Sequence, residues 1–141
     1  MMTVKLWPAV AVCVMFSAPA GAQTAPQRSS TAGVYSAEQA LRGQDVYLGQ
    51  CRSCHVPDSH SGATFQATWN GKSLAELFGY IRERMPRSEP GTLSDQEYID
   101  VLSYLLKLNR MPPGDTDLPA DAETLKGIRF DAKAIPVRKE K

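Results

Sequence analysis

The sequence predicts an all-α domain built on three main helices. Three observations lead there. Ser36-x-x-Gln39, Ser73-x-x-Glu76 and Ser94-x-x-Glu97 share one helix-opening pattern, in which the serine oxygen takes a free backbone N–H and the residue three on reaches back. Apolar residues behind each serine recur at helical spacing. No stretch alternates apolar and polar residues well enough to make a strand.

The first helix is expected from about Ser36 to Gln50, with Ala40, Gly43 and Tyr47 on one face. Glycine inside a helix costs up to ~1 kcal/mol relative to alanine, so Gly43 points to a close helix crossing. The second helix is expected from Ser73 to Arg84, with a stripe of Leu74, Leu77, Phe78 and Ile81. The third runs from Ser94 to Leu108, with Tyr98, Val101, Leu102, Leu105 and Leu108 along one side. Leu93 and Tyr98 occupy the hydrophobic-staple positions of its start, Asn109 is placed to cap its end, and Pro112-Pro113 stops it. Between the first two helices, 56–72 reads as loop, rich in glycine, proline, serine and asparagine. From Pro112 the chain is tail-like, with one short helical turn over 121–126 and six basic residues between Lys126 and Lys141.

Composition narrows the function classes. With 141 residues and 43% hydrophobic content, one packed domain is expected. A net charge of +1 lacks the basic excess of a nucleic-acid binder. Residues 1–22 read as a secretory signal: Lys5 is the charged start, Leu6–Ala18 the apolar stretch, and Ala20-Gly21-Ala22 the cleavage site. The apolar run is too short for a comfortable membrane span, which needs ~20 residues. Cys13 lies within it and leaves with the signal; Val12 is a poor neighbour for a lipoprotein cysteine. The mature chain from Gln23 is formally uncharged and keeps Cys51 and Cys54. Residues 23–35 read as a flexible leader, 36–118 as the folded domain and 119–141 as a basic tail.

Cys51-Arg52-Ser53-Cys54-His55 carries the chemistry. Cys-x-x-Cys-His is the attachment pattern of a c-type haem. The two-residue gap lets both sulfurs reach the porphyrin vinyl groups as thioethers, and the adjacent histidine then reaches the iron. A redox-active disulfide would want a βαβ context, and a zinc site more ligands, but His60 is the only other histidine. One covalent haem c is therefore expected on Cys51 and Cys54, with His55 as an axial ligand.

For the second axial ligand, Met85 is favoured over Met111 and His60. Met85 lies between the second and third helices, where Pro86 stiffens the backbone behind it. Met111 lies past the third helix, and His60 is too close in sequence to His55 to reach the other haem face; it is expected to be a solvated loop residue. Phe65 and Trp69 could wall the haem, and Arg82, Arg84 or Arg87 could meet a propionate. Three short helices are marginal alone in water. The haem is expected to supply the surface on which Tyr47, Leu74, Phe78, Tyr98, Leu102 and Leu105 close.

The chain resembles the monohaem class I c-type cytochromes from Tyr35 to about Leu118. The resemblance rests on Gln39-Ala40, Gly43, Tyr47, Cys51–His55, Leu74, Leu77, Tyr80-Ile81, Met85-Pro86, Pro90-Gly91-x-Leu93-Ser94, Glu97-Tyr98 and Tyr104-Leu105-Leu106. It implies a cytochrome c-like fold, crossing terminal helices at Gly43, Tyr47 and Tyr104, and Met85 as the second ligand. The run from Met85 to Tyr98 is similar to cytochromes associated with quinoprotein alcohol dehydrogenases, which implies redox protein partners of that kind. One feature departs from the family. Many members orient the haem histidine by a proline carbonyl further along, whereas here Val56-Pro57 follow at once and the next proline is Pro86. Some other carbonyl in 56–69 is expected to take that role.

His and Met together leave the iron no open position, which favours outer-sphere electron transfer over catalysis, with one electron moving between a dehydrogenase and a respiratory acceptor in the periplasm. The alternatives are a fixed haem subunit of a dehydrogenase complex, and a haem enzyme or sensor with a labile Met85.

Overall fold

The computed structural model describes residues 27–132. The expected signal segment, its cleavage site and the end of the basic tail lie outside the described residues. Among the described residues, five α-helices, one 3-10 turn and one pair of two-residue strands make up the regular structure. They are β1 (Arg28–Ser29), α1 (Ala37–Gln50), a 3-10 turn (Pro57–His60), α2 (Gly62–Trp69), α3 (Leu74–Arg84), α4 (Asp95–Leu108), α5 (Ala122–Lys126) and β2 (Ile128–Arg129).

α1, α3 and α4 are the three expected helices, each starting one residue after its capping serine. Ser73 with Glu76 and Ser94 with Glu97 form complete capping boxes. The first start differs. Ser36 accepts from the Gln39 N–H, but the Gln39 amide turns inward and bonds both ways with Leu118, its Nε2 to the Leu118 carbonyl at 2.9 Å and its Oε1 to the Leu118 N–H at 2.7 Å. A buried amide needs partners for both ends, and the returning chain supplies them.

The largest helix contact is the crossing of α1 with α4. Gly43 makes it possible: a Cβ there would lie 1.8 Å from the Asp100 carbonyl oxygen. Tyr47 and Tyr104 pack beside it with ring centroids 5.2 Å apart. The buried Asp100 carboxylate accepts from Arg42 Nε at 3.0 Å and from Gln96 Nε2 at 2.7 Å. Arg42 also reaches Asp117 at 2.6 Å, so one guanidinium ties α1, α4 and the chain beyond them. These bonds raise the Arg42 pKa, and a hydrogen bond from the Ser36 hydroxyl, followed by that from Arg42, lowers the pKa of Asp117.

Three expectations need correction. Residues 62–69 are a helix, α2, which buries Phe65 and Trp69 on one side. The described part of the leader is built into the fold: Val34 and Tyr35 are buried, and β1 pairs in parallel with β2. The described part of the tail is built in too. Leu118, Leu125, Ile128 and Phe130 are each at most 2% exposed, which removes their apolar surface from water. β2 lies between β1 and the turn before α3, where Gly71 and Phe130 bond through N–H to O at 2.8 Å and Phe130 returns the bond to Lys72 at 2.8 Å. The expected short helical turn is α5, capped by Asp121.

These two end segments form a collar around the α2–α3 turn. α3 packs against α5 and β2 of these segments. Leu74, Phe78, Tyr98 and Leu102 are buried in the protein core, and none of them lines the cavity described next.

Candidate functional site

α1 ends by winding directly into the Cys-x-x-Cys-His motif. The Cys51 N–H bonds the Tyr47 carbonyl at 2.9 Å, and both Cys54 and His55 donate back to the Cys51 carbonyl, at 3.1 and 2.9 Å. This tight turn brings Cys51, Cys54 and His55 to the wall of one cavity of about 450 Å³. α2 contributes Phe65 and Trp69, α3 Leu77 and Ile81, and α4 Val101 and Leu105. Met85, at the end of α3, completes the set. The volume is within the range of small-molecule and cofactor sites, ~300–1,000 Å³.

Met85 is fixed from behind. Its N–H bonds the Ile81 carbonyl at 2.9 Å, and its own carbonyl accepts from the Tyr98 hydroxyl at 2.7 Å. The same hydroxyl accepts from the Gly91 N–H at 3.0 Å, where Gly91 takes a φ of +75°. Tyr98 thus ties both ends of the 85–91 loop to α4. Met111 is elsewhere: it is 2% exposed in the core, outside the cavity wall, and its carbonyl accepts from the buried Tyr35 hydroxyl at 2.6 Å.

His60 is not the solvated residue expected. It is half-buried on the cavity wall, with Nδ1 2.9 Å from the Tyr47 hydroxyl. Its backbone carbonyl accepts from Asn109 Nδ2 at 2.8 Å. Burial, and then the neighbouring His55, lower its pKa. Burial raises the Tyr47 phenol to about 12, so that group keeps its proton and can donate to a neutral His60. Among the described residues the His55 ring has no hydrogen bond. It meets His60 edge-on, with centroids 4.7 Å apart and planes at 63°.

The cations near the cavity divide clearly. Arg82 pairs with Asp95 at 3.0 Å, and Arg84 lies over Tyr80. Arg87 and Lys72 line the cavity, with Lys72 Nζ 4.9 Å from the Trp69 ring centre. Sequence periodicity placed Leu74 and Phe78 towards the cofactor, but α3 turns Leu77 and Ile81 there instead. It also missed the roles of Tyr98, His60 and Asn109. The adjacent Ser61-Gly62 and Asn70-Gly71 were signals that 62–69 is a bounded element.

The residues fit a covalent haem. Cys51 and Cys54 are not joined to each other, so both sulfurs are available to thioethers. Burial raises the Cys51 pKa, which keeps that sulfur a thiol. A predominantly apolar wall carries the imidazoles of His55 and His60 and the thioether of Met85, and imidazole with thioether is a donor pair that haem iron accepts. Among the described residues, no three or more His, Cys, Asp and Glu side chains cluster to hold a bare metal ion. No described helix is long and apolar enough to cross a membrane.

Residues 38–105 match the family model for cytochrome c oxidase, cbb3-type, subunit III. The matched span runs from the first turn of α1 to the last turn of α4 and contains every cavity-lining residue. Searches of curated proteins and of solved structures gave no match. The fold is therefore all-α and cytochrome c-like. Such a domain implies covalently bound haem c and supports haem-based electron transfer. β1, α5, β2 and the chain joining them to the helices lie outside the match.

Proposed function

We propose that this protein is a periplasmic one-electron carrier. A haem c is joined by thioethers to Cys51 and Cys54, with iron ligands from His55 and Met85. The observation that carries this reading is the convergence of those four side chains on one apolar cavity, while Met111 is held in the core.

The haem supplies a reversible one-electron couple, and every other part of the function belongs to the chain. His55 and Met85 would both hold the iron, which would leave it no position for a substrate. A thioether ligand and an apolar wall both favour the reduced, less charged centre and raise the potential. Phe65, Trp69, Leu77 and Ile81 keep water from the cofactor, and Lys72 and Arg87 are placed to meet its carboxylates. We assign export to the segment ending at Ala22, and the donor to a dehydrogenase of the quinoprotein alcohol dehydrogenase kind. The mature chain is formally uncharged, so docking depends on the fit of surfaces more than on long-range steering.

The test is spectroscopic. Exported protein should keep its haem through a denaturing reducing gel and give a c-type pyridine haemochrome. The oxidised form should show a weak sulfur-to-iron band at the red edge of the spectrum. Met85→Ala should abolish that band and admit external ligands, and Met111→Ala should preserve it. Haem extracted by acidified solvent, or a band lost only in Met111→Ala, would refute the assignment.

A further inference from the structure

We propose that His60, locked by Tyr47, sets the ring plane of the axial ligand His55. This rests on the reading of His55 as an iron ligand and adds the residue that orients it. A ligating imidazole almost always has a partner that fixes its rotation, commonly a carbonyl or carboxylate on the second nitrogen. Here no such bond reaches the His55 ring among the described residues. Its aromatic neighbour is the His60 ring, 4.7 Å away and steeply inclined.

A neighbour can orient a ligand only if it is itself immobile, and His60 is restrained on several sides. Its Nδ1 bonds the hydroxyl of Tyr47, a side chain 1% exposed in the α1–α4 crossing. Its main chain is pinned by Asn109, the residue that caps α4. Its ring meets Phe65 of α2 at 5.8 Å and 88°, and Tyr47 itself at 5.7 Å and 87°. Rotation of His60 would break the Tyr47 bond and lose the edge contact with Phe65. The crossing thus reaches the ligand through two side chains, Tyr47 and then His60. Orientation here is imposed by packing against an edge, and among the described residues no carbonyl bonds the second nitrogen of His55.

The test uses haem-loaded full-length protein and the variants Tyr47→Phe, His60→Ala and His60→Asn. In oxidised protein the largest electron-spin g value and the order of the haem-methyl proton resonances follow the plane of the axial ligands. Tyr47→Phe and His60→Ala should shift both. His60→Asn, whose Oδ1 can keep the Tyr47 bond on a smaller planar group without the ring edge, should shift both, but by less than His60→Ala. If the first two variants lower the melting temperature but leave both spectra as in the parent, His60 only packs, and the inference is overturned. Unchanged spectra and unchanged melting overturn it equally. Should His60→Ala not fold, Tyr47→Phe decides, because it keeps the ring and removes only the hydroxyl. Failure of the underlying reading has a different signature: His55→Ala protein that keeps its thioether-bound haem and the parent spectrum would show that His55 is not a ligand at all.

Discussion

Where α1 crosses α4, the contact is made by side chains and by one absent Cβ. Where the collar closes on the α2–α3 turn, it is made by backbone hydrogen bonds between the two ends of the described chain and by a few buried apolar side chains. The crossing lies within the part of the sequence that matches a cytochrome family, and the collar lies outside it. The first is a local code repeated along a helix. The second depends on residues that meet only after the helices are in place: Arg28 opposite Ile128, and Gly71 bonded to Phe130. The cofactor cavity is lined from the crossing and only backed by the collar. Tyr47 enters it from the crossing, and Phe65 enters it with Phe130 at its back, 5.9 Å away.

The sharpest way to break the comparison is at Gly43. Gly43→Val must displace the α4 backbone at Asp100, since even the first carbon of the new side chain has no room. Overpacking of a tight contact costs typically 1–3 kcal/mol, and more where backbone must move, so a loss above about 3 kcal/mol is expected. Little holoprotein should accumulate, and what does should melt far below the parent. Parent-like melting would mean that the helices do not cross at this glycine.

The corresponding variant in the collar is Phe130→Ala. It empties a fully buried site beside Phe65, and such truncations cost about 3 kcal/mol. If the collar is a structural part of the domain, melting should fall by that order and the haem should become more accessible to external ligands. If the collar is an appendage, as the tail-like sequence suggested, Phe130→Ala should leave melting within a degree of the parent.

The contrast also explains what could be read in the sequence. α1, α3 and α4 were legible because helix caps and apolar stripes act within a few residues of each other, as Ser73 with Glu76 and Ser94 with Glu97 show. The thioether cysteines and His55 were legible because haem attachment demands a fixed spacing. α2 was hidden because its eight residues have no side-chain cap hydrogen bond, and the serine- and glycine-rich chain around it reads as loop. The collar was hidden because two-residue strands carry no pattern. Leu125, Ile128 and Phe130 were the available signal, since three large apolar residues in a tail rarely all face water. His60 was misjudged because its burial comes from Tyr47, Phe65 and Asn109, none of which lies within four residues of it.

A smaller effect should come from Tyr98→Phe. The variant keeps the ring in the core and removes the hydroxyl that joins the Met85 carbonyl to Gly91. Loss of such a bond costs about 1 kcal/mol in stability. The informative reading is the sulfur-to-iron band, which should weaken or become sensitive to temperature as the 85–91 loop loosens. Stability lost with the band intact would show that the loop is held by the α3 end alone.

The smallest expected effect is in the helix caps, and pH reveals it. Hydrogen bonds from the backbone and side chain of Ser73 hold the Glu76 carboxyl below its usual value of 4.5, and those from Ser94 do the same for Glu97. A carboxyl whose pKa is lower in the folded chain than in the unfolded one stabilises the fold fully above the unfolded value. That contribution fades as pH falls from there through the folded value. Both groups are solvent-exposed, so each is worth at most about 0.5 kcal/mol after screening. Glu76→Gln with Glu97→Gln isolates the charge, because glutamine can still close a capping box. Other titrating groups are common to both proteins and cancel in the comparison. The double variant should therefore melt slightly below the parent at pH 6, and the two should converge as the pH is lowered past 4. A gap that persists unchanged into acid would assign the effect to the shape of the glutamine side chain, and the caps would then owe nothing to ionisation.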